Sequence, residues 1–270
     1  MKIREMNNSG DKYLICDFRG IFEPVSLTGL LQTYKGMNIV FLYASGEADG
    51  RIRVFHPSGR EMETSAGAIL CTATYLKENG DVAGPKVFIK SKSMLHTAFI
   101  YPEDYPEEGI LMEMAAPRFH KNDFCTDWKE PFMVDRQFIL DNAIVRLTCV
   151  FVGEPYAVLF CDDLSNFPLE ETVQKLQAKN ILPPQTSVLA AHVSGSVDME
   201  IRIYDYLQGE IPASGNGAAA AVAAAILNKL TARNVTVICK GGNFILHILA
   251  TNNHMMLTGN AEFVSQKLGW

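Results

Sequence analysis

The sequence predicts an α/β (α+β) fold built as two similar halves. Three observations carry that expectation. Segments rich in β-branched and aromatic residues dominate the chain and are bounded by turn residues. Helical stretches stand between them, two of them rich in alanine. The same succession of several strands, a small polar turn and an Ala-rich helix occurs twice: Ser65-Ala66-Gly67-Ala68 opens one helix and Ser214-Gly215-Asn216-Gly217 opens the other, 149 residues later.

In chain order, strands are expected at Lys12 to Asp17, Asn38 to Tyr43 and Ile52 to Phe55, the last stopped by the turn Pro57-Ser58-Gly59. A helix follows from Ala66 to Asn79, with Gly80 as its C-terminal stop. Lys86 to Ser91 and Gly109 to Met114 read as strands. Ala115-Ala116-Pro117-Arg118-Phe119 then breaks the pattern, and a charged stretch from His120 to Glu130 follows. This places a domain boundary there, giving residues 1–118, with a tail of 262–270 returning to them, and residues 119–261. The second half has strands at Ala143 to Phe151, Tyr156 to Phe160, Asp198 to Asp205, Val235 to Cys239 and Asn243 to Ala250, with Lys240-Gly241-Gly242 as a turn. Its helices are Pro168 to Lys179, with proline and Glu170-Glu171 in the first turn, and Ala218 to Leu230.

Composition narrows the function. The 270 residues carry 24 Lys plus Arg against 30 Asp plus Glu, a formal charge of −6, which argues against a generic nucleic-acid or anionic-membrane binder. With 48% hydrophobic and 20% charged residues the chain can bury a large core. The longest apolar run, Ala218 to Leu227, is too short to span a bilayer, which needs about 20 residues. The polar N-terminal stretch lacks the apolar core of a secretory signal, so a cytoplasmic location is expected. Cys16, Cys71, Cys125, Cys149, Cys161 and Cys239 form no CxxC pair and mostly sit in apolar runs, as buried reduced thiols do. His56, His96, His120, His192, His247 and His254 show no ligand-like spacing, so no metal site is expected.

Two helix N-termini opened by serine and small residues can form a paired anion site, because first-turn N–H groups and the positive dipole end favour a carboxylate. The alternative is that both serines only cap helices packed in separate cores.

At these two starts the chain resembles diaminopimelate epimerase and its relatives, the cofactor-independent amino-acid racemases and epimerases. The family shows an acidic residue, one residue, then Cys-Gly-Asn-Gly, a later Cys and Tyr-Leu; here stand Glu63-Thr64-Ser65-Ala66-Gly67-Ala68, Cys71 and Tyr75-Leu76. Its second motif, Gly-Glu-x-x-Ala-Cys-Gly-Thr-Gly-Ala, is matched by Gly209-Glu210-Ile211-Pro212-Ala213-Ser214-Gly215-Asn216-Gly217-Ala218. Asn8-Ser9-Gly10-Asp11, Met114 to Phe119, Gly153-Glu154-Pro155-Tyr156 (family Gly-Asn-Pro-His) and Leu257-Thr258-Gly259-Asn260-Ala261 fall in the family's order. The resemblance implies two domains, each a mixed sheet curled around a central helix, a ligand site between them, no cofactor and a homodimer.

In that family two cysteines exchange the proton, one as thiolate and one as thiol; both matching positions here are serine, Ser65 and Ser214. A thiol near pKa 8.5 can be ionised at a helix N-terminus, whereas a serine hydroxyl must borrow a base. The positions matching the family's grip on the distal end of its substrate also differ: Asp11, His56, Glu154, Ser187, Asp205 and Tyr206. The backbone cradle of Gly67, Gly215, Asn216 and Gly217 remains, with Glu210. We therefore expect an isomerase-like enzyme that moves a proton (isomerisation, epimerisation, cyclisation or elimination) on a small amino-acid-like carboxylate without PLP, with Ser65 and Ser214 orienting the substrate or hydrogen-bonding developing charge and His56, Glu154, Asp205 or Asp11 transferring the proton. A non-catalytic ligand-binding or partner subunit, and a racemase using serine with a helper base, are the competing expectations.

Overall fold

The structure is a computed structural model that describes residues 2–20, 25–92, 94–101, 109–124, 128–141, 143–183 and 185–264. Cys125 and the tail residues 265–270 lie outside the described residues. The chain divides into two compact units, Met1–Glu113 with Thr258–Trp270, and Met114–Leu257.

The first unit runs β1 (Lys2–Asn8), β2 (Asp11–Asp17), α1 (Leu27–Thr33), β3 (Asn38–Tyr43), β4 (Gly50–Phe55), β5 (Glu61–Met62), α2 (Ala66–Glu78), β6 (Lys86–Lys90), β7 (Leu95–Ile100) and β8 (Ile110–Met114). β1 and β2 form a hairpin around Ser9-Gly10, whose φ values of 53° and 89° are those of a tight two-residue turn matched to strand twist. β2 then pairs parallel with β3 across α1, and β4 parallel with β6 across α2; the other neighbours, β3 with β4, β4 with β5, β6 with β7 and β7 with β8, are antiparallel. The sheet is thus mixed, and each parallel step is the one bridged by a helix.

The second unit repeats this order. After a 3-10 turn at Lys121–Phe124 come β9 (Arg136–Leu140), β10 (Ala143–Phe151), β11 (Pro155–Phe160), α3 (Leu169–Ala178), β12 (Ser187–Val193), β13 (Asp198–Asp205), β14 (Gly209–Ile211), α4 (Gly215–Leu227), β15 (Asn234–Cys239), β16 (Gly242–Ile248) and β17 (Met255–Gly259). β11 with β12 and β13 with β15 are its parallel pairs. A last strand, β18 (Glu262–Phe263), belongs to the first unit, where it pairs antiparallel with β1.

Strand periodicity fixes which residues meet which helix. In β2, Leu14 and Cys16 join Ile39, Phe41 and Leu30 of α1 in one core, so Tyr13, Ile15 and Asp17 face the other way, toward α2. In β11, Ala157 and Leu159 join Leu169, Val173 and Leu176 of α3, which turns Tyr156 and Val158 to the α4 side. Both faces of these strands are covered, which explains their unbroken apolar runs. Each Ala-rich helix packs against strands from several directions: α2 touches β1, β2, β3, β6 and β7, and α4 touches β10, β11, β12, β13, β15 and β16. All residues of α4 from Gly215 to Ala225 are buried. Only thin side chains allow a helix to be enclosed this closely.

The expected helix from Ala218 to Leu230 is displaced at both ends. It starts at Gly215 because the Ser214 hydroxyl accepts the Gly217 N–H. It ends at Leu227 because Lys229 takes a left-handed φ of 61°, letting Leu230 N–H reach the Ala225 carbonyl and Lys229 N–H the Ile226 carbonyl. No glycine marks that stop. α2 ends in the same arrangement with Gly80 in the left-handed position, as expected. Pro168 proves to be the residue flanking α3 rather than its first helical residue.

Candidate functional site

Both serines sit at the N-caps of the two enclosed helices. Ser65, in extended backbone, accepts the Ala68 N–H at 3.3 Å, and Ser214 accepts the Gly217 N–H at 3.1 Å. Each hydroxyl therefore satisfies one first-turn donor of its helix.

Behind each serine stands a buried tyrosine, and behind the tyrosine a carboxylate. In the first unit the Tyr13 hydroxyl lies 3.2 Å from Ser65 Oγ and donates to Asp11 Oδ2 at 2.6 Å. Asn38 Nδ2 donates to the other oxygen, Asp11 Oδ1, at 3.0 Å. In the second unit the Tyr156 hydroxyl lies 3.5 Å from Ser214 Oγ and donates to Glu154 Oε1 at 2.6 Å. Burial, then the charge of Asp11 and the hydrogen bond to it, pushes the Tyr13 phenol well above its ordinary value. Burial, then Glu154 in the same two ways, does so for Tyr156. Both phenols hold their protons across the neutral range.

Gly67 makes room for this arrangement. A Cβ at Gly67 would fall 2.3 Å from the Tyr13 hydroxyl oxygen, so the first turn of α2 carries no side chain where the phenol lies. Gly217 of α4 is less confined, its nearest neighbours standing 3.3 Å from a Cβ. Gly215 and Asn216 complete the start of α4, and the Asn216 side chain donates to the Val152 carbonyl, tying the helix start to the loop before Glu154.

The remaining predicted residues fall into two other groups. His56 and Asp205 close β4 and β13 and act as turn caps. His56 is buried, and its Nδ1 accepts the Ser58 N–H at 3.2 Å with Ser58 Oγ 3.0 Å away, which puts the proton of the neutral ring on Nε2. Asp205, also buried, accepts the Leu207 and Gln208 N–H groups on Oδ1 at 2.9 and 2.8 Å and the Ser187 hydroxyl on Oδ2 at 3.4 Å. Tyr206 opens that turn, half-buried. Glu210 is held by Arg202 through two bonds of 2.8 Å, and Arg202 also donates to the Leu164 and Phe167 carbonyls. The first unit has the same device in Arg53 and Glu61. Arg202 keeps the Glu210 carboxyl below its usual range.

Sequence reasoning passed over Tyr13 and treated Tyr156 only as part of a motif. Their signal was present as a repeat, Gly10-Asp11-Lys12-Tyr13 against Gly153-Glu154-Pro155-Tyr156, at the start of corresponding strands. The five described cysteines offer no ready thiolate. Burial raises Cys16 and Cys239 to about 12, and pushes Cys71, Cys149 and Cys161 up as well. Among the described residues there is no group of three or more His, Cys, Asp or Glu that could hold a metal ion, and no helix long and apolar enough to cross a membrane.

Comparison with known proteins agrees with this architecture. A family model described as diaminopimelate epimerase matches residues 148–264. The diaminopimelate epimerase of Pelotomaculum thermopropionicum is 30% identical over 276 residues, covering 98% of this chain and 97% of that one. Among solved structures, a hydroxyproline epimerase from Agrobacterium vitis has a TM-score of 0.71 at 13% identity, over 97% of this chain and 90% of that one. A phenazine biosynthesis protein of the PhzF family from Bacillus anthracis has a TM-score of 0.67 at 16% identity, over 98% of both chains. The fold is that of epimerases, racemases and isomerases.

Proposed function

We propose that this chain, which belongs to the diaminopimelate epimerase family, moves a proton on a small amino-acid-like carboxylate by means other than a pair of cysteines. The observation that carries the reading is the serine at each enclosed helix start, backed by a tyrosine and a carboxylate. A helix start of this kind suits a substrate carboxylate, since helix geometry gives its first-turn amides no intrahelical acceptor and the dipole favours an anion. The serines contact and orient the substrate.

The proton has to end on a stronger base than a serine. Asp11 and Glu154 are the acids and bases that the geometry favours, because each is connected to a serine through one hydroxyl. Asp205 and His56 fit less well, because their turn contacts already use Oδ1 and Nδ1. Such bases are weaker than a thiolate toward an unactivated α-hydrogen. The favoured substrate therefore has a C–H acidified by conjugation or an imine, and diaminopimelate itself is disfavoured by the altered recognition residues.

The test is exchange of C–H for deuterium in D2O, followed by NMR. The panel contains the common amino acids in both hands, proline and hydroxyproline, the diaminopimelate stereoisomers, and β,γ-unsaturated carboxylic acids. Enzyme-dependent exchange on at least one member is expected. Saturable binding without exchange across the panel would instead identify a ligand-binding descendant.

A further inference from the structure

The hydrogen bonds at the two serines have a direction. An ionised carboxylate only accepts, so the single phenolic proton of Tyr13 points at Asp11 in the 2.6 Å contact. That leaves the Tyr13 oxygen as acceptor for Ser65, while Ser65 Oγ accepts the Ala68 N–H. The chain runs from helix amide to serine, from serine to tyrosine and from tyrosine to carboxylate. The same sequence of donors holds in the second unit from Gly217 N–H through Ser214 and Tyr156 to Glu154. Both tyrosines are buried, and their strands and helices are set 52 residues apart in one unit and 58 in the other. The two units carry one arrangement of donors and acceptors.

We propose that Tyr13 and Tyr156 are positioning residues that connect each serine to its own carboxylate, so that each unit works as a Ser–Tyr–carboxylate relay. This rests on the proton-transfer reading above. In the withdrawing direction the substrate C–H bond breaks and its proton bonds to serine Oγ. The serine O–H proton passes to tyrosine Oη, and the phenolic proton passes to the carboxylate, which becomes a neutral acid. The electron pair of the C–H bond stays on the substrate, delocalised into its activating group, and no oxidant or reductant takes part. In the delivering direction the carboxyl starts protonated and every hydroxyl of the chain points the other way.

The test uses Tyr13→Phe and Tyr156→Phe, which keep the ring and remove the hydroxyl. The probe is the member of the panel that the parent protein exchanges fastest, with kcat and KM for deuterium uptake measured separately. Each variant is expected to lose at least about 100-fold in kcat, with KM little changed. A purely structural role would raise KM or lower the urea midpoint along with kcat. Parental rates in both variants would overturn the relay and leave the proton-transfer function standing, whereas a parent that exchanges nothing on the panel overturns both. Near-UV circular dichroism checks folding. Asp11→Asn and Glu154→Gln remove the terminal acceptor from the same chains and must show the same loss in kcat at little-changed KM, which decides the matter should a phenylalanine variant misfold.

Discussion

Replacing Gly67 by alanine sets two effects of opposite sign against each other. In an exposed helix interior the change would gain about 1 kcal/mol from helix propensity. Here the new Cβ would lie 2.3, 2.5 and 2.6 Å from Oη, Cζ and Cε2 of Tyr13. Three atoms of one rigid ring are involved, so a side-chain rotation cannot clear them all. The ring itself is buried and pinned through its hydroxyl to Asp11 and Ser65. Overpacking of this kind costs about 1–3 kcal/mol, so the net effect is a destabilisation of up to about 2 kcal/mol, or roughly 30-fold in the unfolding equilibrium. Urea denaturation measures it as a lowered midpoint at unchanged slope. Gly217→Ala is the control: its nearest neighbours are 3.3 Å or more away, and Ala68 holds the corresponding place in α2, so it should be neutral or slightly stabilising. Adding Tyr13→Leu to Gly67→Ala should recover at least about 0.5 kcal/mol beyond additivity. If Gly67→Ala alone is as stable as the parent, the glycine is not there to admit the phenol.

Three further outcomes are expected. Arg202→Ala should cost about 1–3 kcal/mol by denaturation and Glu210→Ala under about 1, because only the arginine also serves the Leu164 and Phe167 carbonyls; equal costs would contradict this. Stability should fall as pH rises above about 8.5. Unfolded thiols and phenols release protons near 8.5 and 10, while burial raises Cys16, Cys239 and Tyr75 to about 12 and pushes Tyr13 and Tyr156 well above the ordinary phenol range. The folded state then binds more protons through that window, so a urea midpoint that stays level between pH 8 and 11 would refute the assignment. Of the described cysteines, half-buried Cys161 should be the first labelled by an aromatic disulfide reagent at neutral pH, with Cys16, Cys71 and Cys149 protected until unfolding, as read by mass spectrometry of the labelled peptides.

The duplicated architecture was legible because it is written in long apolar strands and in two helices whose alanines leave no other reading than close packing. Strands such as Leu95–Ile100 and Ser187–Val193 escaped notice. Leu, His and Ala in the first, and two alanines in the second, dilute the β-branched signal, and only pairing with neighbours makes them strands. The serines were legible as helix caps with a missing thiol. The tyrosines were not, since each reaches its serine across 52 or 58 residues, through the facing of a strand against a helix. His56 and Asp205 looked like free acid–base groups because a sequence shows an ionisable side chain and not the backbone amides that the turn brings to it.

The pairing of β18 with β1 gives the first unit a history as well as a shape. Phe263 lies opposite Met6, Asn8 donates to the Asn260 carbonyl and Val264 N–H reaches the Glu5 carbonyl. A ribosome delivers β1 early and its partner only after the whole second unit has been made, so the outer edge of β1 stays unpaired through most of synthesis. Lys2, Arg4 and Glu5 on that strand are exposed, and charges on an open edge are what discourages it from pairing with another chain.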